Sequence, residues 1–172
     1  MANLLTVAEV QKVRRISTTW ATGGQLERFN AFALEAQDVH LRQFLGDALY
    51  LDLITNPTEA ANAKLLTGET YENAAGEDVK YFGLYTFLSY AWLFINAVEG
   101  DDFQANIGTV NFENAGRTIQ PKAKSYTLKK YQDSMTIYRN NAIDYLNEKA
   151  SDFPLWKGNK KLKRGKYRIQ AL

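Results

Sequence analysis

Between Lys80 and Glu99 the chain runs for eighteen residues, Tyr81 to Val98, without a charged side chain. A segment of that kind has to be hidden from water on nearly every side, at the centre of a domain or in a bilayer. Tyr81, Tyr85, Thr86, Ser89, Tyr90 and Asn96 are spread along it, whereas the aromatic residues of a membrane span gather at its ends. It therefore reads as the buried central helix of a soluble fold. Leu84, Phe87, Leu88, Ala91, Ile95 and Val98 line one side; Tyr81, Tyr85, Ser89, Trp92 and Asn96 line another. The remainder of the 172 residues must be arranged around this helix. That length suits one domain and can bury a core without disulfides or metals.

Helical periodicity dominates the rest. Thr6-Val7-Ala8-Glu9 has the form of a capping box and opens a short helix, Val7 to about Ile16. Ser17 to Gly24 breaks it. From Gln25, the residues Leu26, Phe29, Phe32, Ala33, Ala36, Val39 and Phe44 recur at helical steps. Gly46 marks a kink or cap, a segment Ala48 to Ile54 follows, and Asn56-Pro57-Thr58 stops it. A further helix starts at Pro57 or Thr58 and runs to Leu66, with Gly68 placed where a helix-ending glycine belongs. Residues 69–80 read as a small hairpin or ordered loop turning at Ala75-Gly76. Residues 99–123 read as irregular, with a strand at 108–112, a turn at Asn114-Ala115-Gly116, a return strand at 117–120, and Pro121 as its end. Ser125 then caps a long helix whose seam is Leu128, Tyr131, Met135, Tyr138, Ala142 and Tyr145. The fold class is mainly α: a helical bundle, residues 1–152, with a β-hairpin or extended loop insertion at about 100–123, and an extended C-terminal arm, 153–172.

The residue inventory leaves little room for chemistry. There is no cysteine, so no disulfide, thiol nucleophile or Cys-type metal site can form. His40 is the single histidine and stands beside no recognisable nucleophile motif. Glu99, Asp101 and Asp102 read as a solvated turn, because no loop here has the calcium-loop spacing. The glycines form neither a dinucleotide fingerprint nor a phosphate loop. The expectation is a protein that is not an enzyme and carries no cofactor or metal. Three Trp, ten Tyr and nine Phe point to large contact surfaces instead. Met1 to Thr6 has no basic stretch and no long apolar run, so no signal peptide is read there and folding in a cytoplasm is expected.

Charge is divided along the chain. Residues 1–156 hold fourteen Lys and Arg against nineteen Asp and Glu, whereas residues 157–172 hold seven basic residues and no acid. Trp156, Lys157, Lys160, Lys161, Leu162, Lys163, Arg164, Lys166, Tyr167, Arg168 and Ile169 form a basic segment interleaved with apolar side chains. Three readings compete for it: a phosphate-neutralising nucleic-acid arm, a protein-docking arm whose charges meet an acidic surface, and a solubilising end. The apolar alternation favours docking, since a phosphate-binding tail has no need of Trp or Ile.

Several phrases in order carry a resemblance. They are Leu45-Gly46-Asp47-Ala48-Leu49-Tyr50-Leu51-Asp52-Leu53, Leu65-Leu66-Thr67-Gly68-Glu69-Thr70-Tyr71, Gly83-Leu84 opening the aromatic helix with Ser89-Tyr90-Ala91, and Asn106-Ile107-Gly108-Thr109-Val110. Over about residues 4–150 the chain resembles head–tail connector (adaptor, or ring) proteins of tailed phages, of the type found in crAss-like gut phages. The shared phrases are packing signatures rather than catalytic ones. The resemblance implies a structural virion protein: a homo-oligomeric ring, typically of twelve copies, under the portal protein, extending the DNA channel toward the next tail or ring protein. Genomic DNA would pass through without specific binding, and no membrane would be involved. The location would be the head–tail vertex, with the host cytoplasm during assembly. It further implies that the arm contacts the portal or a neighbouring subunit. Loop residues Phe103, Ile107, Val110, Phe112, Arg117 and Ile119 would contact adjacent subunits. The alternative is a small nucleic-acid-binding protein acting through the basic tail.

Overall fold

The computed structural model of the chain describes residues 3–99, 104–105, 108–109 and 121–158. The elements are α1 (Val7–Val13), a 3₁₀ turn (Thr18–Ala21), α2 (Gly23–Glu35), a π-turn (Ala36–Leu41), α3 (Arg42–Leu45), α4 (Asp47–Thr55), α5 (Ala60–Thr67), β1 (Glu69–Glu72), β2 (Asp78–Tyr81), α6 (Leu84–Glu99), β3 (Gln104–Ala105), β4 (Gly108–Thr109) and α7 (Pro121–Glu148). The architecture is mainly helical with a small antiparallel hairpin, as the periodicity implies.

The uncharged segment is α6, and it is the centre. Leu84, Phe87, Leu88, Ser89, Ala91, Trp92, Leu93 and Ile95 are all buried. They pack against α7 on one side and against α1, α2, α5 and the π-turn on the others. Trp92 is fully enclosed: its ring meets Trp20 at 5.2 Å and Phe29 at 5.0 Å, and its indole N–H donates to the Phe29 carbonyl at 3.2 Å. Burying a side chain of this size contributes on the order of 3 kcal/mol. Val98, expected on the apolar side, is instead exposed among the described residues. Among the described residues no helix is long and apolar enough to cross a membrane.

α1 is capped by Thr6, whose hydroxyl accepts from the Glu9 amide. The second half of the capping box is not made. Glu9 turns outward to Lys12 at 2.7 Å, and the helix ends at Val13, three residues short of the expected Ile16. The helix read as continuous from Gln25 to Phe44 is interrupted by the π-turn at Ala36–Leu41. Its buried Gln37 accepts from the Leu4 amide at 3.0 Å and donates to the Tyr50 hydroxyl at 3.3 Å, while Tyr50 donates to Asp38. One polar network thus fastens the N-terminal segment, the π-turn and α4 together, satisfying groups that would otherwise be buried at a cost.

The hairpin predicted over 69–80 is present, with Tyr71 opposite Val79 and Glu69 opposite Tyr81. Asn73 closes its turn by accepting from the Ala75 and Glu77 amides. The hairpin lies on α7: Tyr145 donates to Glu69 at 2.7 Å and stacks on Tyr81 at 4.1 Å, and the Asn141 amide brackets Lys80 and Phe82. At its base, Gly68 (φ 86) and Gly83 (φ 81) cross. A Cβ on Gly68 would lie 2.7 Å from the Phe82 carbonyl carbon, and one on Gly83 would lie 2.5 Å from the Leu66 oxygen. Only glycine allows both the left-handed backbone and this approach.

One expectation fails further along. Gly108–Thr109 pairs with Gln104–Ala105; the turn at 114–116 and the return strand at 117–120 lie outside the described residues. Pro121 opens α7, where its missing N–H costs nothing, so Ser125 sits inside the helix rather than at its cap.

Two measurements test this account. Gly68→Ala and Gly83→Ala should each lower the unfolding free energy by about 2–4 kcal/mol. Gly24→Ala, where a Cβ meets nothing within 4 Å, should be neutral or stabilising by up to about 1 kcal/mol. The second concerns alkaline pH. Burial and the bond to Asp38 push the Tyr50 hydroxyl up from 10.0 to about 12. Burial raises Tyr81, and burial with the Glu69 bond raises Tyr145. The unfolded chain ionises at the ordinary value while the folded chain resists. Their stabilisation is therefore complete below that value and is lost as the pH climbs toward the folded ones. Urea unfolding between about pH 9 and 11 should show this decline, and Tyr81→Phe or Tyr145→Phe should flatten it.

Candidate interaction surface

The described chain ends in a short segment folded back over the bundle. Phe153 is buried against Tyr145, ring to ring at 6.0 Å. Trp156 sets its ring edge on Phe44 at 6.1 Å and donates to the Asn147 side chain at 2.9 Å. The Arg139 guanidinium covers the same Phe44 ring at 5.6 Å. Trp156, read from sequence as part of the partner-seeking arm, is therefore held by its own chain, and packing of the body continues beyond residue 152. The physical reason is that charge changes at Lys157 whereas apolar burial does not stop before Trp156.

Three clefts lie near this segment. The first, about 280 Å³, opens between the π-turn, α6 and α7. Phe87, Phe94 and Met135 make its floor, and His40, Gln43, Gln132, Thr136 and Arg139 its polar rim. Gln132, Met135, Thr136 and Arg139 share one face of α7 by their three- and four-residue spacing. Burial lowers the pKa of His40 and keeps the imidazole neutral. The Thr136 hydroxyl is committed to the Gln132 carbonyl at 3.0 Å. The arrangement can bind a group with an apolar body and a polar edge, but it presents no activated nucleophile.

The second cleft, about 220 Å³, lies between α4, α5 and the terminal segment. Leu49, Ala61, Phe153, Pro154 and Leu155 line it together with the carboxylates of Asp52, Glu59 and Asp152. Asp52 is fixed by the Asn56 and Asn62 amides at 2.9 and 3.0 Å. The third cleft, at the α3–α4 junction, contains Asp47, Leu155, Lys157 and Gly158. Leu155 is exposed and forms the ridge between the second and third. Asp47 in the third is paired with Arg42 at 2.6 Å.

Residues 41–166 match the family of unknown function DUF6712. The chain belongs to this family. The matched span begins at the last residue of the π-turn and takes in α3 to α7 and the terminal segment, leaving His40 of the first cleft outside it. No curated protein and no solved structure matches the chain.

Of the residues singled out from sequence, Lys157 lines the third cleft and His40 the first, while Glu99 closes α6 with its carbonyl accepting from Arg28 at 3.2 Å. Lys160, Lys161, Leu162, Lys163, Arg164, Lys166, Tyr167, Arg168 and Ile169 lie outside the described residues, as do Asp101, Asp102, Phe103, Ile107, Val110, Phe112, Arg117 and Ile119. Among the described residues no group of three or more His, Cys, Asp or Glu could hold a metal ion. Sequence reasoning missed the rims of the clefts. Asp52, Glu59 and Asp152 come from three separate parts of the chain and share no spacing.

His40 offers a direct check on the first cleft. As the single imidazole, its proton resonance is unambiguous, and its titration midpoint should fall below 6.5. Because the unfolded chain then binds the proton more readily, stability should fall as pH drops through that region, and His40→Gln should remove the dependence.

Proposed function

We propose that this chain is a subunit of a head–tail connector ring in a tailed phage particle, with a structural rather than catalytic role. The observation that carries the reading is the ordered set of packing phrases shared with connector proteins. Here those phrases sit at the junctions that set the fold: Gly46 between α3 and α4, and the crossing of Gly68 with Gly83. The acidic body supports it as well, because a weakly repulsive wall lets DNA slide. In this reading about twelve copies close a ring under the portal, and the basic segment contacts the portal or an adjacent subunit. The role belongs at the head–tail vertex, with assembly in the host cytoplasm.

The charge of residues 157–172 favours a second reading, in which the segment binds nucleic acid. One experiment separates the two. Purified chain mixed with its portal should form rings by electron microscopy. Truncation after Gly158, which spares Phe153 and Trp156, should abolish docking while leaving the helical circular dichroism spectrum intact. Docking that survives the truncation removes the role given to the arm. Tight duplex-DNA binding with a steep salt slope, lost on the same truncation, replaces the connector reading with the second.

A further inference from the structure

The basic segment needs a surface that is apolar and acidic at once, and the body supplies one. The first cleft carries Arg139 and His40, and the third has Asp47 already paired with Arg42. The second gathers Asp52, Glu59 and Asp152 around the exposed Pro154 and Leu155, over the buried Leu49 and Phe153, with no lysine or arginine among the described residues that line it. Asp52 is held in place by two amides, so an incoming cation meets an acceptor that is already oriented. Residues 159–172 contain six Lys and Arg and no acid, with Leu162, Tyr167 and Ile169 set between them. The direction of the chain says which copy is served. Phe153 to Leu155 form part of the cleft floor, but Lys157 and Gly158 lie in the third cleft, across the Leu155 ridge. The described chain thus points out of its own acidic cleft at Gly158, which favours the cleft of another copy.

We infer that residues 159–172 of one copy dock in the acidic cleft between α4, α5 and the Phe153–Leu155 segment of a second copy. Such a contact joins two different surfaces, and repeated head to tail it closes a ring where the rotation between copies is a whole fraction of a turn. The inference deepens the proposed function and rests on it only for the association of copies. Because the contact pairs basic with acidic side chains, it should weaken with added salt.

The absence of cysteine makes the test clean. Full-length Glu59→Cys and full-length Leu162→Cys, mixed and oxidised, should form the mixed disulfide-linked pair in preference to either self-pair. Asp152→Cys serves as a second acceptor position. Charge reversal with Glu59→Lys and Asp152→Lys should weaken association of copies about tenfold, and Lys160→Glu with Lys163→Glu on the other copy should restore it. Copies that associate into rings without the mixed pair at either position would overturn the docking and leave the ring reading standing. A mixed pair in copies that never close a ring would uphold the docking and count against the ring. A cross-link formed only within a doubly substituted chain at high dilution would overturn the assignment to a second copy, as would failure of the copies to associate.

Discussion

A helix with almost no polar face cannot be stable on its own in water, and α6 is such a helix. Its burial is the condition the other elements meet. α7 covers one side, while α1, α2, α5 and the π-turn cover the rest. Trp92 at the middle leaves no gap, since Trp20 and Phe29 close on it and the Phe29 carbonyl takes its indole proton. Interiors packed this way tolerate little change of volume. The remaining features, from the glycine crossing to the terminal segment, can be read as ways of bringing enough surface to α6 with short connections.

That central helix was legible from sequence because a run of uncharged residues is a local signal. So were the glycine caps at Gly46 and Gly68 and the hairpin between them and α6, since turn chemistry is also local. The π-turn had no such signal. It exists because Gln37 finds partners in Leu4 and Tyr50, far away along the chain. The start of α7 was placed too late, at Ser125, for a related reason: the residue that stops a strand also starts a helix, and only the following backbone decides between them. Phe153 and Trp156 are held on the body by aromatic contacts with Tyr145 and Phe44, and contacts between residues so far apart in the chain leave no local signal. The acidic cleft joins Asp52 and Glu59, near one another in the chain, to Asp152 about a hundred residues on, and that long-range part leaves no trace in spacing.

The hairpin and the terminal segment share an anchor. Tyr145 stacks on Tyr81, meets Tyr71 edgewise and Phe153 at a tilt, and bonds Glu69. Elements about seventy residues apart in sequence are thus organised by the last turns of α7. The surfaces on which the functional proposals rest are therefore attached to the core by the same aromatic cluster, so packing and contact geometry are not separable properties here.

The π-turn has a consequence for comparing this chain with its relatives. A turn wider by one residue is a single insertion kept inside a continuous helix, and it rotates whatever follows by about 100° relative to what precedes. Phe29, Phe32 and Ala33 address Trp92 and its surroundings in one phase; Phe44 addresses Phe87 and Trp156 in another. An alignment that carried one helical repeat straight through would assign every position after Leu41 to the wrong face. The family match begins at that residue, where the second phase starts.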